Sequence, residues 1–312
     1  MVSYGVLFPG QGSQFVGMGA DLFEARPELL GDRSERILGW SLKQMCMEGP
    51  EENLTRTEHA QPALFALSYA MWDVFIDSIN ERPSGAAGHS LGEYSALCAS
   101  GSIDYDAALE VVAARGQAMA EAADREASGM AALLGADLGT ARSVIQESGA
   151  RGGRLELANI NAPGQIVVAG GAKDIDWLTE NARDLGVRRV IPLKVAGAFH
   201  SSFMEPAALA VESALQGLEV SEPAFPVWSN TTAEPHTRAQ VAELLAKQVV
   251  STVRFSESLE SMASAGIDTF IHVGPGDVTA GMARRTVTDA EVLVVSTVEE
   301  IDDAAASLGT MA

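Results

Sequence analysis

The chain has 312 residues, a length that a size prior divides into about two domains. Hydrophobic residues make up 47% and charged residues 20%, an ordinary globular balance that excludes a disordered or collagen-like chain. Asp and Glu number 42 against 21 Lys and Arg, a net charge of −21 that makes nucleic acid and anionic membranes poor partners.

Tyr4–Phe8 reads as a short buried strand that runs into the turn Pro9-Gly10-Gln11-Gly12-Ser13-Gln14. Ala63–Ile79 is apolar at helical spacing, with Pro62 near the expected helix start. Gly85–Gly88 is a small-residue strand leading into Gly88-His89-Ser90-Leu91-Gly92, and Glu93–Ser100 and Tyr105–Ala123 read as helices. The pattern changes near Ser128. Met130–Leu134 reads as strand, Leu138–Ser148 as helix, Leu155–Asn161 and Gln165–Ala169 as strands around Ala162-Pro163-Gly164, Ile175–Leu185 as helix and Arg189–Val195 as strand. That order is ferredoxin-like. It predicts a small domain at 128–195 inserted into a larger, α/β-hydrolase-like catalytic domain of 1–127 and 196–312. Helices are expected at Pro206–Gln216, Ala239–Val250 and Ser256–Ala265, and strands at Thr269–Val273 and Glu291–Ser296.

Two cysteines, Cys46 and Cys98, are too few for a disulfide framework or a cysteine zinc site and point to a reducing compartment. No stretch approaches the ~18 apolar residues needed to span a bilayer, and the N-terminus has no basic n-region. The expectation is a cytoplasmic protein.

Gly88-His89-Ser90-Leu91-Gly92 is a G-x-S-x-G. Its glycines allow a serine to sit exposed on a tight strand-to-helix turn, and the following helix offers free N–H groups to an oxyanion. The base must come from five histidines. His89 adjoins the serine and reads as structural. His59 and His236 lie in polar surroundings and read as solvated. His272 ends a β-rich run and is either a core residue or the base. His200, in Gly197-Ala198-Phe199-His200-Ser201, follows the inserted domain, where a cleft is expected. Position alone leaves His200 and His272 both open. Gly10–Gln14 lacks the Lys-Ser/Thr of a phosphate loop and fits better as a turn presenting N–H groups near Ser90.

Several motifs occur in one order: Phe8-Pro9-Gly10-Gln11-Gly12-Ser13-Gln14, Gln61-Pro62-Ala63, Gly88-His89-Ser90-Leu91-Gly92-Glu93, Arg115-Gly116-Gln117-Ala118-Met119, and Asn159-Ile160-Asn161-Ala162-Pro163-Gly164-Gln165. Gly197-Ala198-Phe199-His200-Ser201, Gln248 with Val253-Arg254-Phe255, and Gly274-Pro275-Gly276 complete the set. Over nearly its whole length the chain resembles malonyl-CoA:acyl carrier protein transacylases and the related polyketide-synthase acyltransferases.

The resemblance implies a ping-pong transfer of malonyl from malonyl-CoA to the phosphopantetheine thiol of an acidic acyl carrier protein, with no metal or redox cofactor. It implies Ser90 as nucleophile, His200 as base oriented by a backbone carbonyl near Gln248, and the N–H groups of Gln11 and Leu91 as oxyanion hole. It implies Arg115 as the malonyl carboxylate site, with Phe199, Asn161 and Gln248 also facing substrate. A Phe before the histidine accompanies malonyl rather than methylmalonyl use in related domains. Where the family commonly has Lys and Leu after Gly-Pro-Gly, this chain has Asp277-Val278-Thr279. Rival readings on the same scaffold are an acyl-thioester hydrolase and a trans-acting acyltransferase for another acyl group. Three arginine pairs are candidate carrier contacts: Arg151 with Arg154, Arg188 with Arg189, and Arg284 with Arg285.

Overall fold

The computed structural model describes residues 3–79 and 81–309. Among the described residues nine strands form two sheets: β1 (Tyr4–Phe8), β2 (Gly85–Gly88), β3 (Ser128–Leu134), β4 (Leu155–Ala162), β5 (Gln165–Gly171), β6 (Arg189–Pro192), β7 (Val227–Trp228), β8 (Thr269–Val273) and β9 (Glu291–Val295). The first sheet runs β7-β2-β1-β8-β9, with every neighbouring pair parallel. β1 and β8 are buried along their whole length, as expected of parallel strands covered by helices on both faces.

The second sheet is antiparallel, runs β4-β5-β3-β6 and is drawn entirely from 128–192. With helices Leu138–Ala150 and Ala172–Asn181 it has the expected ferredoxin-like order. Its alternating side chains serve two cores. Ala131, Leu133, Ile166 and Val168 pack with Ala141, Val144, Ile175 and Leu178 of its own helices. Met130, Ala132, Val167 and Ala169 belong to the core shared with the parallel sheet. The edge strand β4 is also stitched to the chain near Val253, through Ile160 N to Val253 O at 2.9 Å and Val253 N to Ala158 O at 2.9 Å. The molecule is thus an α/β fold with a parallel sheet and a smaller antiparallel one.

Several boundaries differ from expectation. The long helix runs Thr57–Ser78, so Pro62 lies inside it rather than near its start. His59 accordingly sits in the first turn of that helix, half-buried with its ring edge-on to Trp40, not in a solvated turn. β6 stops at Pro192, with Leu193 N still donating to Met130 O at 2.9 Å, and 193–195 form a loop. The helix expected over Ala239–Val250 is a 3-10 turn, Arg238–Gln240, followed by an α-helix, Val241–Gln248. The two-residue strand β7 and the helices Val278–Thr286 and Glu300–Ser307 are not anticipated by the sequence pattern. Among the described residues no helix is long and apolar enough to cross a membrane.

Candidate active site

The C-terminal ends of β1 and β2 meet, with His89 N donating to Phe8 O at 3.0 Å. In parallel α/β sheets this end is where ligands bind. β1 feeds the turn Pro9–Gln14, and β2 feeds Ser90, which leads into helix Gly92–Ala99. Both glycines of the pentapeptide are forced by close approach. A Cβ on Gly88 would lie 1.9 Å from the Gly92 carbonyl, and one on Gly92 would lie 2.3 Å from Phe8 O. The turn holds Ser90 at φ 52°. His200 stands at φ 58°, a second left-handed non-glycine residue. Each such residue costs of order 1–3 kcal/mol and persists only where its surroundings over-determine it.

Ser90 Oγ lies 2.8 Å from His200 Nε2, and His200 Nδ1 lies 2.9 Å from Gln248 O. A carbonyl oxygen only accepts, so Nδ1 carries the ring proton and donates it there. Nε2 then offers its lone pair to the Ser90 hydroxyl. Burial, with the charge of Arg115 adding to it, pushes the His200 pKa down to about 3, so the ring is neutral at physiological pH. Arg115 Nη2 donates to Ser90 Oγ at 3.1 Å and to Gln248 Oε1 at 2.8 Å, and Nη1 donates to Gln61 Oε1. The guanidinium lies over the Tyr94 ring, 5.5 Å from its centroid, and is 1% exposed. A charge this deep is tolerable because its hydrogen bonds are mostly met. Among the described residues Arg115 Nε alone of its nitrogens has no partner.

A cavity of about 180 Å³ opens over Ser90. Gln11, Ser90, Leu91, Arg115, Asn161, Phe199 and His200 all line it, so seven of the eight residues singled out in the sequence converge there. The N–H groups of Gln11 and Leu91 have no hydrogen-bond partner among the described residues. Asn161 also accounts for His89: its Oδ1 lies 2.7 Å from His89 Nε2, which makes His89 a structural bridge between the sheets. Gln248 is the exception. It is fully buried, does not line the cavity, and touches Arg115, His200 and the Ser90 carbonyl from behind. The antiparallel sheet and its exit loop supply Met130, Val167, Leu193 and Val195 as an apolar wall. Among the described residues Lys194 is the second cation lining the cavity and no carboxylate lines it, in a chain with 42 acids.

His272 resolves as a core residue: it is fully buried on β8, hydrogen-bonded to Thr279 and Gly274, and absent from the cavity. His236 overturns the solvated reading. The chain after β7 turns back on itself, with Trp228 bridging Pro235 and His236 N donating to Val227 O at 2.8 Å. This carries the His236 ring into the interior, where Nε2 meets Glu93 Oε1 at 2.6 Å. Asn230 is a further functional residue that sequence reasoning does not reach. Its Oδ1 accepts from Ser90 N at 2.7 Å and its Nδ2 donates to Gly88 O at 2.7 Å, which pins the turn that carries Ser90. Nothing local to Ser229-Asn230-Thr231 marks that role. Asp277 is exposed at the start of helix Val278–Thr286, whose Val278 and Met282 reach the cavity. Among the described residues no group of three or more His, Cys, Asp or Glu side chains is arranged to hold a metal ion.

Residues 6–312 match the acyl transferase domain family. The chain is 40% identical over 299 residues to the malonyl CoA-acyl carrier protein transacylase of Bacillus subtilis, covering 95% of this chain and 94% of that protein. Its fold matches the crystal structure of acyl-carrier-protein-S-malonyltransferase from Bartonella henselae at a TM-score of 0.93 and 36% identity, over 99% of this chain and 100% of the other. A malonyl-transacylase in complex with its type II PKS acyl-carrier protein matches at 0.92 and 34% identity, over 98% of this chain and 99% of the other.

Proposed function

From the premise that this chain belongs to the acyl transferase family, among the malonyl CoA-acyl carrier protein transacylases, we propose that Ser90 carries a malonyl group between coenzyme A and a carrier protein. The observation that carries this reading is the hydrogen-bonded run Arg115–Ser90–His200–Gln248 O at the base of a cavity that, among the described residues, no carboxylate lines. His200 Nε2 takes the Ser90 proton as Oγ attacks the thioester carbon. The oxyanion rests on the N–H groups of Gln11 and Leu91. The carbon–sulfur bond breaks, and the CoA thiolate leaves with the proton from His200. A malonyl-serine ester remains. A carrier phosphopantetheine thiol then gives its proton to His200 and attacks the ester. The carbon–oxygen bond breaks, and the proton returns to Ser90 Oγ.

Arg115 holds the free carboxylate of the acyl group, since a planar guanidinium matches a carboxylate through two donors. Phe199 and Asn161 border the acyl group; Gln248 serves by holding Arg115 and His200. We take the large domain as 1–127 with 196–312 and the small one as 128–195. The carrier is acidic and phosphopantetheinylated, and it docks where this acidic chain is locally basic. Arg284 and Arg285 are the favoured pair, because they share the helix that sends Val278 and Met282 into the cavity. Arg151 and Arg154 are instead stacked on Trp177 and Phe203. Two free, buried thiols, Cys46 and Cys98, support a reducing, cytoplasmic setting.

The test is to mix the protein with malonyl-CoA or acetyl-CoA and weigh it intact, then add a holo carrier protein. A malonyl adduct, absent in Ser90→Ala and discharged onto the carrier, is expected. Discharge to water at the same rate without carrier would make the enzyme a hydrolase.

A further inference from the structure

The Glu93 carboxylate is fully buried behind the nucleophile and does not line the cavity. Its Oε2 accepts from Gln248 Nε2 at 2.7 Å and from Asn230 N at 3.0 Å, and its Oε1 meets His236 Nε2. The Glu93 and His236 side chains are both 0% exposed.

The Gln248 amide decides what this arrangement does. An amide has its two donors at one end and its acceptor at the other. Gln248 Nε2 donates to Glu93 Oε2 and also to Ser90 O at 2.8 Å. With both donors committed there, Oε1 must face the opposite way, and there it accepts from Arg115 Nη2 at 2.8 Å. Rotated end for end, the amide would set its NH2 against a buried guanidinium. Donor would face donor, and the Glu93 carboxylate would face a carbonyl oxygen. Burial makes each unmet group expensive. Glu93, which can only accept at Oε2, therefore sets the sense of the amide and with it the aim of Arg115.

We propose that Glu93, held by His236, is a positioning residue that sets acyl-group selectivity by orienting the Gln248 amide toward Arg115. It rests on the reading of Arg115 as the carboxylate site. The bland alternative is a buried hydrogen-bonded pair that only holds the core together; its loss would lower activity on all acyl groups alike.

The discriminating quantity is the ratio of kcat/KM for malonyl-CoA to that for acetyl-CoA, with each variant first checked for folding by circular dichroism. Arg115→Ala tests the underlying reading, and an unchanged ratio there would sink that reading and the proposal with it. Glu93→Met keeps the length of the side chain but offers no acceptor to Gln248 Nε2 or Asn230 N, and it should lower the ratio by about tenfold or more, chiefly through the malonyl KM. His236→Leu, which leaves Glu93 Oε1 without its partner and frees the carboxylate to turn, should lower the ratio in the same direction. His236→Gln, which keeps a donor toward Glu93, should restore it to within about twofold. If Glu93→Met does not fold, the two His236 variants decide. Parallel losses on both substrates, or no loss, alongside a shifted ratio in Arg115→Ala, would overturn the positioning role and leave the function intact.

Discussion

The two walls of the cavity are built by opposite means. The parallel-sheet wall is backed by a closed net of hydrogen bonds: Ser90, His200 and Arg115 on the wall and Gln248, Asn230 and Glu93 behind it each fix at least one other. The antiparallel-sheet wall is largely apolar, with Met130, Val167, Leu193 and Val195, and Asn161 is tied back to His89. Proton transfer requires donor and acceptor to be fixed within tenths of an ångström, and directional bonds provide that. Choosing among acyl groups requires shape, which non-directional packing provides in graded steps. Changes on the first wall should therefore be steep, and changes on the second shallow.

The steepest expected effect comes from the base. His200→Ala should cut the rate of Ser90 acylation by about 10²–10⁴, the range for a lost general base. Stopped-flow release of CoA measures it. A near-normal burst would remove His200 from the mechanism and erase the contrast between the walls.

Acid should strain the site and the core beneath it. His89, His200 and His272 are all held below the ordinary histidine value by burial, His200 to about 3 and His272 to about 4. Unfolded, each titrates near ~6.5. As pH falls through that value, the unfolded chain binds protons that the folded one refuses. Stability that is fully present above ~6.5 is then lost toward lower pH, by up to ~1.4 kcal/mol per pH unit for each group. Urea midpoints between pH 7 and pH 5 should fall accordingly, and the slope should flatten in His200→Gln. A flat profile in the wild type would mean that these imidazoles are charged in the fold.

Shape should matter less. Phe199 lines the cavity at 5% exposure, immediately before the base. Phe199→Ser should raise use of methylmalonyl-CoA relative to malonyl-CoA by about tenfold, since one residue in an apolar wall is worth ~1–3 kcal/mol. Competition between the two esters reads this directly. An unchanged ratio would assign selectivity to the opposite wall.

The smallest effect lies outside both walls. Charge reversal at Arg284 and Arg285 should raise the carrier KM a few-fold, as rim charges do, and leave acylation by malonyl-CoA untouched. If Arg188 and Arg189, not these, move the carrier KM, docking lies on the antiparallel-sheet side.

Much of the site is legible in the amino-acid sequence. The G-x-S-x-G carries its own geometric reason, because a strand-turn-helix of that tightness excludes a Cβ at Gly88 and Gly92. Arg115, Asn161 and Phe199 are reached through motif resemblance, and all three line the cavity. Asn230 and His236 stay hidden because their partners lie far off in the chain. Ser90 N reaches Asn230 across 140 positions, and Glu93 reaches His236 across 143.

What the sequence determined by itself is local in origin: the buried strands Tyr4–Phe8 and Thr269–Val273, the small-residue approach to Ser90, and the ferredoxin-like alternation after Ser128. These follow from side-chain period and from backbone sterics within a few residues. Tertiary structure set His200 apart from His272, since both stand in apolar segments and only packing puts one against Ser90 Oγ and the other against Thr279. It also turned His236 inward and moved Gln248 from the cavity wall to a place behind it. The reason is physical. A buried polar side chain goes where its hydrogen bonds are met, and in this fold those partners belong to strands and helices that meet only after the chain has closed.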